Sequence, residues 1–193
     1  MKKYLVLGAI LAVAGSASAV TYSTVTVGIA GGFTGGSLVP QDYPGVHVGS
    51  SYSAVGTGLT ATPAHPGTTT WTSEFVSASP ITSVLISISG TGTLPTKLTL
   101  NSLNVYDQGL GGVSVFGIPS SPLTTQTNAA GSWVFTYHAI LSHSVLDGRV
   151  SFGTLLQGGG TINTVTTTAV PEPASMAALA IGGLGLLRRR RKA

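Results

Sequence analysis

Apolar and polar residues alternate with period two along much of the chain, the spacing of a strand with one buried face. In Val84-Leu85-Ile86-Ser87-Ile88-Ser89, Val84, Ile86 and Ile88 share one face, Ser87 and Ser89 the other, and Leu85 is the exception. In the stretch from Trp133 to Ala139, Trp133, Phe135, Tyr137 and Ala139 point one way and Thr136 and His138 the other. Val25, Val27 and Ile29 predict a first strand. Val46, Val48, Tyr52 and Ala54 mark another, Trp71 and Phe75 share a face opposite Glu74, and Val150 and Phe152 mark a late strand. The pattern breaks once within an apolar run. Leu98 and Leu100 sit on even positions and Leu103 and Val105 on odd ones, so either a β-bulge at Asn101-Ser102, the favoured reading, or a bend there between two short strands is expected.

Gly, Pro and Ser clusters separate these stretches, among them Pro40 to Gly45, Pro63 to Gly67, Gly90 to Pro95, Gly109 to Gly112 and Gly158 to Gly160. About nine or ten short strands and no helix of any length fit residues 20–169. An all-β fold follows, a single β-sandwich, with a jelly roll as one form of it. No repeat of fixed period points to a propeller or solenoid. Thr-rich residues 161–168, with Ile162 and Val165, suit either a last strand of little core or, across 158–169, a stalk.

The two ends follow other patterns. Met1-Lys2-Lys3, an apolar stretch from Tyr4 to Gly15 and Ala17-Ser18-Ala19 form a secretory signal peptide over residues 1–19, with a signal helix and signal-peptidase cleavage between Ala19 and Val20. At the other end, Val170-Pro171-Glu172-Pro173 precedes an uncharged apolar run from Ala174 to Leu187, then Arg188, Arg189, Arg190, Arg191 and Lys192. The prolines stop an arriving strand and pre-set φ for a helix. Glu172 lies at the helix's positive end and the arginines at its negative end. A helix over 174–187 is roughly 21 Å long, a short membrane span whose arginines snorkel to the cytoplasmic headgroups and leave the body outside.

This tail resembles the PEP-CTERM sorting signal of Gram-negative bacteria, residue by residue over 170–193. Val170 to Ser175 fit the signature, Met176 to Leu187 the span, and Arg188 to Lys192 the basic end. The resemblance implies that an exosortase, a membrane protease, recognises the tail and cuts near the motif. The protein would be anchored transiently in the inner membrane and then pass to the cell surface or the extracellular polysaccharide.

Charge reads differently once the ends are set aside. The chain has 9 Lys+Arg against 5 Asp+Glu, but residues 20–169 keep only Lys97 and Arg149 against Asp42, Glu74, Asp107 and Asp147, a net charge of −2. Two isolated cations cannot displace counterions along a phosphate backbone, so a nucleic-acid partner is excluded. There is no cysteine, so stability must come from the core of one domain.

No nucleophile elbow, phosphate loop, zinc helix or calcium loop occurs in the body, and no cofactor or metal is expected. A glycosidase needs two carboxylates at a set separation, and Glu74 with Asp107 is an arithmetically available pair. Asp42, Asp107 and Asp147, however, lie beside turn residues, where Asp bonds the backbone. His138 and His143 are the nearest histidines in sequence, at a spacing that suits metal ligands on neither strand nor helix. His47 and His65 read as polar-face or loop residues. Exposed aromatic rings stack on sugars. Trp133 reads as core, while Tyr43 and Tyr106, each next to a turn Asp, are the candidate sugar contacts.

The sequence therefore describes an exported, non-enzymatic surface or matrix protein associated with exopolysaccharide, its Ser/Thr surface open to O-glycosylation. A carbohydrate-binding module is the first alternative and a secreted hydrolase the second.

Overall fold

The computed structural model describes residues 20–114, 124–127 and 131–172. The predicted signal helix and membrane helix lie outside them, as do Ala17, Ala19 and the basic end. The described chain is all β. It runs through β1 (Val20–Gly31), β2 (Phe33–Thr34), β3 (Leu38–Pro40), β4 (His47–Val48), β5 (Ser51–Ala61) and β6 (Gly67–Thr91). It continues through β7 (Lys97–Asp107), β8 (Val113–Ser114), β9 (Thr124–Thr127), β10 (Ser132–Gln157) and β11 (Thr161–Pro171).

Two very long strands organise the rest. The Trp71–Phe75 and Val84–Ser89 patterns are two halves of β6, and the Trp133–Ala139 and Val150–Phe152 patterns are two halves of β10. β6 and β10 pair antiparallel along their lengths, with register shifts between Ile140, Val145 and Asp147 opposite Ser83, Ile81 and Val76. Pro80 sits inside this irregular stretch, where a missing N–H does least harm to a ladder. The Ser77 hydroxyl donates to the Ser79 carbonyl at 2.7 Å and accepts from the Ser79 N–H at 3.2 Å, closing the bend locally.

Each half of the long pair recruits different neighbours. On one side of the bend, β1 flanks β6 and β7 flanks β10, with β4 on β1 and β8 on β7. On the other side, β11 flanks β6, β5 flanks β11, and β9 flanks β10. β2 and β3 line the outer edge of β5. Hydrogen bonding therefore makes one open sheet with two wings joined through β6 and β10, where the sequence predicted a sandwich of short strands. Tyr52 of β5 lies 5.5 Å from Tyr22 of β1 and 5.9 Å from Trp71 of β6, ring centroid to ring centroid. β5 is a ladder neighbour of neither strand, so these contacts join the inner faces of the two wings.

The core between them holds Trp71, Phe75 and Phe152 from one wing and Val84, Ile86, Ile88, Trp133 and Val165 from the other. Trp71 stacks on Phe152 at 6.0 Å. The indole N–H groups are satisfied internally, Trp71 donating to the Ser73 hydroxyl at 3.1 Å and Trp133 to the Thr91 carbonyl at 3.3 Å. The expected bulge is present. Ser151 faces Asn104 and Gly153 faces Asn101, which leaves two residues of β7 opposite one of β10, with Ser102 at φ 55°.

One further expectation is corrected, and one open choice is decided. Val46 and Val48 do not join Tyr52 and Ala54 in one half-buried strand. The chain breaks at Gly49-Ser50, β4 is a two-residue edge of β1, and Tyr22 pairs with His47. The pleat then brings the His47 ring to 5.1 Å from the Tyr52 ring and leaves Val46 and Val48 exposed. Of the two readings of residues 158–169, strand or stalk, the strand is observed, and it is interior: β11 lies between β5 and β6. It also contributes Ile162, Val165 and Ala169 to the core, more than its Thr-rich sequence suggested.

Candidate functional site

The described part of the C-terminal motif is built into the sheet. Ala169 is buried, Val170 pairs with Ser83, and Pro171 pairs with Ile81 as the last residue of β11. Pro171 cannot donate to a ladder, and the strand stops there. Glu172 follows, its side chain exposed and its N–H donating to the Pro80 carbonyl at 2.9 Å. Tyr22 anchors the same end. Its hydroxyl donates to the Ser50 carbonyl at 2.9 Å and accepts from the Ala169 N–H at 3.0 Å. Burial pushes the Tyr22 phenol up to about 12, with the Ala169 N–H pulling the other way. Sequence reading missed Tyr22, which is the third residue after the predicted signal cleavage and carries no motif.

The candidate sugar contacts do not converge. Tyr43 is 67 % exposed, in the turn between β3 and β4. It borders an open cleft of about 230 Å³ lined also by Val25, Thr26, Val27, Leu38 and Pro40. That is below the roughly 300–1,000 Å³ of an enclosing ligand pocket, so it offers a platform rather than a cavity. Tyr106 lies on β7, with β1, β6 and β10 between it and the β4 edge. The guanidinium of Arg149, its ladder partner, stands 4.7 Å from its ring centroid and covers one ring face.

The acids and histidines pair in ways the sequence did not indicate. Glu74 faces Arg149, which faces Tyr106, whereas Asp107 shares the adjacent row with Gly148 and Phe75. Alternation therefore puts Glu74 and Asp107 on opposite faces of the sheet, not across a cleft. Asp107 is almost fully buried. Its carboxylate meets His143 Nε2 at 3.2 Å and accepts the Leu110 N–H at 3.2 Å. His47 Nδ1 lies 2.7 Å from the Asp42 carboxylate, and Asp42 has φ 56°. His65 is an exposed loop residue and His138 an exposed residue on the polar face of β10, as expected. Among the described residues, no group of three or more His, Cys, Asp and Glu side chains could hold a metal. The Asp42–His47 pair joins residues five apart in sequence across one turn. Asp107 and His143 are 36 apart in sequence, and only the fold brings them together.

A strand that ends on Pro171, followed in sequence by Glu172-Pro173, an apolar run and five cations, defines a class: exported proteins carrying a C-terminal sorting signal. Within that class, residues 169–192 match the family model of the PEP-CTERM protein-sorting motif. The motif indicates exosortase-dependent sorting of an exported protein to the cell surface. No curated protein and no solved structure matches the chain.

Proposed function

We propose that the β body is a non-enzymatic component of the cell surface or extracellular matrix that associates with exopolysaccharide through its uncharged, hydroxyl-covered surface. Signal peptidase removes residues 1–19. That cut keeps all of β1 as described, Val20–Gly31, in the mature protein. The chain is then held briefly in the inner membrane by residues 174–187 until exosortase processes the tail.

The observation that carries this reading is the outer face of the wing formed by β5, β11, β6 and β10. One row across it runs Ser53, Thr166, Ser87, Thr136. Hydroxyls pair across strands, Ser53 with Thr166 at 2.8 Å, Ser51 with Thr168 at 2.8 Å and Thr60 with Thr161 at 2.9 Å. Strands about 4.8 Å apart present these groups as a regular polar lattice with side-chain rows about 6.8 Å apart. Such a face suits neutral polysaccharide hydroxyls and gives no purchase to phosphate. The test is co-sedimentation of the secreted protein with exopolysaccharide purified from its host. Retention that survives 1 M salt is expected, and loss of retention in salt would overturn the neutral-surface reading. Replacing Ser53, Ser87 and Thr166 together by lysine should abolish retention.

A second reading, a carbohydrate-binding module, is favoured by Tyr43 alone, an exposed ring beside an apolar cleft. Saturable oligosaccharide binding by calorimetry, lost in Tyr43→Ala and kept in Tyr106→Ala, would establish it.

A further inference from the structure

The end of the body from which the tail departs is fixed. The Glu172 N–H bond to Pro80 places the exit at the bend of β6. The first residue of the apolar run, Ala174, is two positions further on, a leash of roughly 7 Å even when fully extended. Whatever the body presents at that pole must lie at the lipid–water boundary while the tail is in the bilayer.

We propose that this pole is a membrane-contact surface that rests on the zwitterionic lipid interface of the tethered protein. The inference depends on the sorting-signal reading, in which residues 174–187 enter the bilayer. Exposed large apolar side chains gather there. Val48, Val76, Leu110, Ile140 and Leu146 are each between 47 and 63 % exposed. The strand register places them. Val48 and Val76 flank Thr21 on one row, and Asp147 continues that row with Leu146 preceding it. The Gln108 N–H bonds the Asp147 carbonyl at 2.9 Å and brings the turn that carries Leu110 alongside. Ile140 pairs with Ser83, whose other neighbour is Val170. The opposite pole is different in kind. Its turns are Gly31-Gly32, Thr62 to Pro66 and Gly158 to Gly160, and its exposed large apolar residues are Ile29 and Leu94.

Apolar side chains that reach the headgroup boundary bind by burial of their area, with charge adding attraction where cations are present. Here cations are scarce. Arg149 lies over Tyr106, and the exposed acids near the exit are Asp147 and Glu172. The surface should therefore need no anionic lipid.

The chain has no cysteine, so single labelling sites are free of background. Leu146→Cys at the pole, Leu94→Cys at the far end and Ala180→Cys in the tail would each carry an environment-sensitive fluorophore. The uncleaved full chain is reconstituted in phosphatidylcholine vesicles containing a headgroup-level nitroxide quencher. Quenching at position 146 should be at least twofold greater than at 94, and a Val76→Glu/Val48→Glu background should bring the two together. Equal quenching at 146 and 94, with position 180 protected from aqueous quencher, overturns the contact surface and leaves the tail reading intact. Position 180 open to aqueous quencher overturns both. A requirement for phosphatidylglycerol also overturns the proposal, because the attraction would then be electrostatic.

Discussion

Tyr22 and Thr167 show how single polar atoms in this core act in opposite directions. The Tyr22 hydroxyl serves two backbone groups, the Ser50 carbonyl and the Ala169 N–H, and so ties β1 to both the start of β5 and the end of β11. The Ala169 N–H also donates to the Ser50 carbonyl at 3.0 Å, so Tyr22→Phe removes two bonds without stranding either group and should cost about 0.5–1.5 kcal/mol in urea unfolding. The same residue sets an alkaline limit. Its phenol titrates near 10 in the unfolded chain and at about 12 in the fold, because burial disfavours the phenolate. A raised folded value means the contribution is complete below pH 10 and is lost as pH climbs toward 12. Stability measured between pH 9 and 12 should therefore fall in the wild type, and part of that slope should vanish in Tyr22→Phe. A phenylalanine variant with an unchanged alkaline slope would refute the assignment. Thr167 is the converse: its hydroxyl is buried without a hydrogen-bond partner. Thr167→Val removes a stranded polar group at nearly constant shape and should raise stability by about 1 kcal/mol. A lower melting temperature in that variant would mean the hydroxyl has a partner in solution.

At the level of strands, legibility depended on how many apolar residues mark each side of a break. The Asn101-Ser102 bulge was readable because two apolar residues define the register before it and two after. The bulge in β1 was not. Tyr22 faces the core, the register shifts between Ser23 and Thr26, and only then do Val25 and Val27 pack inward. Only Val20 and Tyr22 marked the first register, and Val20 abuts the predicted signal cleavage, where it reads as the edge of the signal rather than as part of a strand. The long strands read as separate short ones because the apolar alternation that marks them lies on either side of residues 76–83 and 140–149, and nothing local indicates that a partner strand bends at the same place. Trp133 as core was legible from its own stripe. What made room for it was not: a Cβ on Gly90, its cross-strand partner, would stand 2.0 Å from the indole and 2.3 Å from the Thr161 carbonyl. Gly90→Ala must displace a buried tryptophan or part β6 from β11, at about 1–3 kcal/mol in chemical unfolding. A neutral outcome would show that the two strands have slack there. The candidate sites were the least legible part, since Arg149 over Tyr106 and His143 on Asp107 arise from register rather than from sequence proximity.

For the molecule as a whole, the position of β11 constrains how the tail is processed. This strand has neighbours on both edges and supplies Ile162, Val165 and Ala169 to the core. A protein that lost it would be open through the middle of its sheet. The pairing of Pro171 with Ile81 and the bond from Glu172 to Pro80 extend that protection to the first half of the sorting motif. When exosortase opens a peptide bond, the acyl carbon passes to the incoming nucleophile and the tail leaves with a new amino terminus. The bond opened should lie after Glu172, where the ladder no longer holds the chain, so the mature protein should keep Val170, Pro171 and Glu172. Intact-mass measurement of the surface form should give a C-terminus at Glu172 or later, and a host lacking the exosortase should yield the tail still attached. A mature C-terminus before Val170 would mean that the last rungs peel away for the enzyme, and that the folded body does not set the cut. The same logic separates two truncations: a chain ending at Glu172 should fold cooperatively, whereas one ending at Gly160 should not.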